Sequence, residues 1–208
     1  MSLLLIVPTP LRHRLHNVGA GVDAIATADG DVWWTVAHDA VRDGVDMVWI
    51  ATGIPDAGAL ERLTAPLPAG RAAALRTGSV IRPDGSLDRG ALPTWNTERE
   101  ATIDLAAVGG APITSASAHH LLIEADVLRH LDPPRADRFG PLADREWTAR
   151  AAAYGGAVHR PASVVRWPTV HPSLPPAVAA RHALALRRSG VWGAREAAHR
   201  ALLLSGRR

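Results

Sequence analysis

Cysteine is absent from this 208-residue sequence, which excludes disulfides and thiolate metal sites. Lysine is absent as well, so all 23 basic side chains are Arg. Arg grips phosphate or carboxylate through a planar fork, but a net charge of +3 chooses no ligand by itself. Long apolar runs are missing too. The opening MSLLLIVPTP has too short a run and no basic leader for a signal peptide, so it reads as a first strand, and the cytoplasm is the expected location. No P-loop, Gly-x-Gly-x-x-Gly element or nucleophile elbow stands at a strand-to-helix turn, and there is no internal repeat or second-domain linker.

Apolar residues make up 47% and charged residues 21%, ordinary values for one globular domain with a good core. The richness in Ala, Arg, Gly and Pro reads as coding bias more than function. Alternating strand and helix patterns run through the chain. Leu3 to Val7 and Val22 to Thr27 read as strands, and Asp31 caps a helix reaching about Asp43. From Val45 to Leu63, VDMVWIATGIPDAGALERL, an apolar strand ends at Thr52-Gly53, passes Pro55-Asp56 and restarts at helical spacing. Ligands gather where strand carboxyl ends meet helix amino ends, so Ala51 to Asp56 is the first place to look for chemistry.

Further strands are expected at Ala72 to Ile81, Ile103 to Val108, His119 to Ile123 and Ala157 to Trp167. The last is expected at a sheet edge because it contains Pro161. Helices are expected near Ala125 to Leu131 and from Ala143 to Tyr154, with Arg138 to Leu142 as a loop. Beyond Pro168 two basic helices follow, Ala177 to Arg188 and Ala194 to Leu204, weakly amphipathic and Ala-rich.

The order of these pieces resembles the inverting glycosyltransferases of GT-A fold, a family that includes rhamnosyl- and galactofuranosyltransferases. The resemblance rests on Leu4 to Pro10, Val45 to Leu63, Ile113 to Leu131, Phe139 to Gly155 and Arg181 to Arg188. It implies an α/β fold, a single GT-A-like domain with a mixed, mainly parallel sheet flanked by helices: a nucleotide-binding half (1–82), an acceptor half (100–170) and a helical tail (171–208). It also implies transfer of a sugar from a nucleotide-diphosphate donor, the co-substrate, to an acceptor small molecule or glycan.

The family's Asp-x-Asp motif holds a divalent cation against the donor diphosphate. Here Ile50-Ala51-Thr52-Gly53 stand in its place and no carboxylate remains, so no metal ligand is assigned and transfer without the usual metal is expected. Asp56 fits an N-cap. The resemblance implies Asp144 as the catalytic base that deprotonates the acceptor hydroxyl. It implies Pro8, Thr9, Asp29, Thr52, Gly53 and Arg150 around the donor, and Ser115, Ser117, Glu146 and Trp147 around the acceptor.

Plainer roles stand beside these. Asp144 and Glu146 equally suit a helix first turn, Arg150 can pair with Glu146 at i,i+4, and Asp29 suits a turn. Trp147 fits either a sugar-stacking face or the core, while Trp33, Trp34 and Trp49 read as core. Arg12 or Arg14 could meet phosphate, Trp95 could stack on a sugar, and His171 could approach the diphosphate. The alternative function is a non-catalytic binding or scaffold partner of the same fold. No nucleic-acid partner is expected, and the basic tail leaves a peripheral membrane contact open.

Overall fold

The computed structural model describes residues 2–15, 21–29, 32–67, 73–88, 91, 93–94, 111–168 and 174–205. The expected strand at Ile103 to Val108, the cap at Asp31, and Trp95 and His171 lie outside the described residues.

Fully buried apolar runs form the central strands. β1 (Leu3–Val7) pairs in parallel with β2 (Ala24–Thr27) on one side and with β3 (Met47–Ala51) on the other. A two-residue strand, β4 (Ile54–Pro55), follows β3, and then come β5 (Leu75–Ile81), β6 (Ala111–Pro112), β7 (His120–Glu124) and β8 (Ala157–Arg166). The strand order is β2-β1-β3-β7-β5-β8-β4, with β6 also paired to β8.

The expectation of a mainly parallel sheet needs correction, because the sheet is mixed. β7 enters antiparallel between β3 and β5, and β4 and β6 both lie antiparallel against β8. The parallel pairs are β1 with β2, β1 with β3, and β5 with β8. β8 is no edge strand either. Between the pairs Thr77–His159 and Ser79–Val164, β5 advances two residues while β8 advances five, and Pro161 sits inside that bulge. A bulge tolerates a residue without an N–H, so proline did not force the strand to the edge.

Alternation divides the central strands between two cores. Leu4, Ile6, Val48, Ile50, Leu121 and Ile123 face helices α1 (Val32–Arg42), α3 (Ala125–His130) and α5 (Ala143–Gly155). Leu3, Leu5, Val7, Trp49, Leu122 and Val165 face the short helix α2 (Ala59–Thr64). Each such fully buried large side chain contributes roughly 1.5–3 kcal/mol of burial. On α1 the buried positions are Trp34, Ala37 and Val41, the three-and-four spacing of one helix face. The 138–142 segment, expected as a loop, contains the end of a one-turn helix, α4 (Ala136–Phe139), and a 3-10 turn, Gly140–Leu142. The tail forms α6 (Pro176–Arg188) and α7 (Ala194–Leu204), which bury Ala183, Leu186 and Ala197 with Phe139, Leu142 and Trp192 in a third cluster.

A polar knot lies inside the sheet. His120 is fully buried, with Nε2 3.2 Å from Ser163 Oγ and Nδ1 3.3 Å from the Ser79 carbonyl. His159 Nε2 lies 3.5 Å from Ser79 Oγ. Gly78 leaves the room, because a Cβ there would collide with the His120 ring and the Ser163 carbonyl. Burial pushes His120 down to about 4 and His159 down to about 3, both from 6.5.

Two predictions follow from this knot. Each folded-state value lies below the unfolded one, so the stability these groups contribute is complete above pH 6.5 and is lost as pH falls towards 3. Urea midpoints should therefore drop steeply over that window, and His159→Phe should flatten the slope. Gly78→Ala should cost roughly 1–3 kcal/mol by overpacking, read as a lower urea midpoint at unchanged slope.

Candidate functional site

The chain leaves β1 towards β2 on one side and reaches β3 on the other, so the sheet has a switch point at β1, where loops diverge and leave a crevice. Because β1, β2 and β3 run parallel, their carboxyl ends meet at one rim. Pro8 and Thr9 leave β1 there, and Thr9–Arg14 winds into a 3-10 turn with Arg12, His13 and Arg14 exposed. Asp29 follows β2, and its Oδ1 accepts the Thr9 N–H at 3.2 Å, tying the first two loops together. Thr52 and Gly53 follow β3. Of the expected donor residues, the fold thus brings Pro8, Thr9, Asp29, Thr52 and Gly53 to one rim.

Antiparallel β7 begins at the same rim, which the sequence alone did not reveal. The Thr52 N–H donates to the His119 carbonyl at 2.9 Å. Thr52 Oγ1 lies 3.1 Å from His119 Nδ1 and accepts the Trp167 indole N–H at 3.0 Å, while the His119 and Trp167 rings meet edge to face at 5.0 Å. A Thr-His-Trp cluster therefore occupies the end of β3. Thr52 is only 4% exposed. Gly53 is needed for backbone approach: a Cβ there would sit 2.6 Å from the Arg166 carbonyl oxygen. Among the described residues no group of three or more His, Asp or Glu could hold a metal ion.

Asp56 does not cap α2. Its carboxylate takes a two-pronged ion pair from Arg166, at 2.8 and 2.9 Å, and the N-cap position is Gly58 in a left-handed conformation. The pair fastens the loop after β3 to the end of β8.

Asp144 opens α5 and points its carboxylate at the turn leading into β7. Oδ2 accepts the Ala118 N–H at 2.8 Å and Oδ1 the Arg145 N–H at 2.8 Å. Ala118 precedes His119, so Asp144 is joined to Thr52 through two adjacent residues. Desolvation raises the Asp144 carboxyl above its ordinary value, opposed by the Arg145 charge and the N–H bonds. A carboxylate raised this way is a better proton acceptor than a solvated one.

The remaining acceptor and donor candidates are placed differently. Trp147 is fully buried, tilted against Trp34 at a centroid distance of 4.4 Å and donating to the Asp132 carbonyl, so no face is open to a sugar. Glu146 and Arg150 hold each other at 2.8 and 3.2 Å, and Arg150 also reaches the Asp132 and Pro133 carbonyls. Ser115 is fully buried and its hydroxyl has no partner. Ser117 is 5% exposed and donates to the Ala91 carbonyl at 3.0 Å. Both serines line the loop that Asp144 holds.

Arg145 is a participant the sequence did not single out. It is 2% exposed, and burial, followed by the charge of Arg200, pushes it down to about 9. Arg200 on α7 donates to Glu196 at 2.6 Å and to the Pro93 carbonyl at 3.0 Å. The tail is thereby wired to the segment beneath Ser115 and Ser117. The signal was an Arg beside an acidic residue in LADREW, which is too common in helices to stand out.

No family model matches the chain, and neither does any curated protein. Among solved structures the fold is similar to A197 from STIV, at 12% identity and a TM-score of 0.51 over 78% of this chain and 83% of that one. It is similar as well to GalNAc-T7 solved with UDP, GalNAc and Mn2+, at 12% identity and a TM-score of 0.50 over 90% of this chain. The match spans 47%, about half, of the GalNAc-T7 chain. Likeness at this identity concerns architecture alone.

Proposed function

We propose that this protein binds a nucleotide-diphosphate sugar at the rim formed by Pro8, Thr9, Asp29, Thr52 and Gly53 and transfers the sugar, with inversion, to an acceptor hydroxyl. The observation that carries the reading is the convergence of the first three strand ends at a switch point, with a raised-pKa carboxylate two residues from their shared rim. That GalNAc-T7, a structure of similar fold, was solved with UDP supports the same ligand class.

Asp144 takes the proton from the acceptor hydroxyl as its oxygen attacks the anomeric carbon. The bond from that carbon to the diphosphate breaks on the opposite face, and the nucleoside diphosphate leaves with the electron pair. Ser115 and Ser117 stand in the loop that walls the acceptor side. With Thr52 engaged by His119 and Trp167, charge on the leaving diphosphate is met by exposed Arg12 and Arg14 and by backbone N–H groups rather than by a metal held after β3.

One observation favours the second reading, a non-catalytic binding or scaffold role. The side chains of Thr52, Trp147, Glu146 and Arg150 are all committed to contacts within the protein. The two readings part on Asp144.

Calorimetry with UDP-, dTDP- and GDP-sugars should show binding by at least one, of similar strength with and without Mn2+. Binding by none overturns the transfer reading and leaves only the scaffold role. Asp144→Asn should keep donor binding and the thermal midpoint within a few degrees, while lowering turnover on the order of 100-fold or more. Since the Asp144 pKa is raised, turnover should fall on acidification at a higher pH than an ordinary carboxylate would give. An Asp144→Asn variant with wild-type turnover removes the base assignment.

A further inference from the structure

The tail hairpin presents a face that none of the contacts above explains. α6 and α7 turn their inner sides to the same cluster around Phe139, Leu142 and Trp192, so their other sides point away from the body. On α6 that outer side carries Arg181, Leu184, Arg187 and Arg188, spaced by three and four. On α7 it carries Arg195, His199 and Leu202, at the same spacing. Leu184 is 40% exposed and Leu202 52% exposed, two of the few large apolar side chains left in solvent.

Charge on this face has one sign. α6 contains no acidic residue, and the single acid of α7, Glu196, is half-buried and engaged by Arg200. Among the described residues no ion pair involves Arg181, Arg187, Arg188 or Arg195. Guanidinium groups without a carboxylate partner, surrounding solitary leucines, match a surface that is anionic at its boundary and apolar just beneath. Arg keeps its charged head at phosphate level while its stem lies along the acyl boundary, and leucine enters that boundary. A nucleic-acid backbone would use the charges and leave both leucines in water. The absence of any described helix long and apolar enough to cross a membrane fits contact with a surface rather than a span.

We infer that the outer face of the α6–α7 hairpin, built on Arg181, Leu184, Arg187, Arg188, Arg195 and Leu202, docks on an anionic lipid surface.

The test is sedimentation of the full chain with vesicles of phosphatidylcholine alone or with 30% phosphatidylglycerol, an on-the-order-of composition typical for surface charge effects. The wild type should pellet with the anionic vesicles and stay in solution with the neutral ones, and added salt should weaken its binding. Each exposed Arg changed to Gln should lower partitioning about fivefold. Leu184→Ser with Leu202→Ser, which leaves every charge in place, should lower it by roughly a further tenfold or more. Circular dichroism keeps folding in view, and all these positions are at the surface. Equal binding to neutral vesicles, no binding to anionic ones, or a double-serine variant as good as wild type overturns the inference. The last result, together with salt-sensitive retention on duplex DNA, would assign the face to a polyanion instead. None of these outcomes depends on the nucleotide-sugar reading of the rim.

Discussion

The hydrogen-bonded ladder between β3 and β7 holds the molecule's two halves together. β1, β2 and β3 form a parallel unit with diverging loops, β5 and β8 form a second parallel pair, and β7 joins them by running against both neighbours. The ladder ends at the Thr52 N–H and the His119 carbonyl, so the bond that closes the sheet also shapes the rim. Every feature of the candidate site is placed relative to that bond. Trp167 packs onto it from the end of β8, Arg166 clamps the following loop through Asp56, and Asp144 anchors the residue before His119.

The end of β3 carries no carboxylate, and Thr52 stands there instead. A threonine with one hydroxyl cannot replace a pair of hard anionic ligands. It can, however, accept an indole N–H and face an imidazole, and that cluster buries the threonine at the strand end. In the proposed transfer, charge on the diphosphate would be met by the arginines on the turn after β1, and Asp144 would take the acceptor proton. His120 and His159 are held towards the neutral form inside the sheet because desolvation outweighs every nearby partner.

Strands and helices with a clear period were readable from the sequence. Leu3–Val7, Met47–Ala51, α1 and both tail helices lie where apolar runs, helical spacing and glycine breaks place them. Pro161 misled because the sequence carries no sign of the bulge that accommodates it. The antiparallel entry of β7 was hidden because a five-residue apolar strand reads the same in either direction. The placement of Pro8, Thr9, Asp29 and Thr52 after strand ends was legible from the apolar runs before them. The ion pair of Asp56 with Arg166 was not, since the partners lie far apart in the chain and meet only in the sheet. Trp147 shows the limit of residue type: the same indole suits a sugar or a core, and only its packing against Trp34 decides.

The most direct test of the account is to map nucleotide diphosphate binding onto the backbone amides by NMR, adding UDP, dTDP or GDP with and without Mn2+. One of them should move the amides of Thr9, Asp29 and Gly53 together, with the same pattern in either condition. Movement confined to other parts of the sheet, or movement at the rim that appears only when Mn2+ is present, would contradict it.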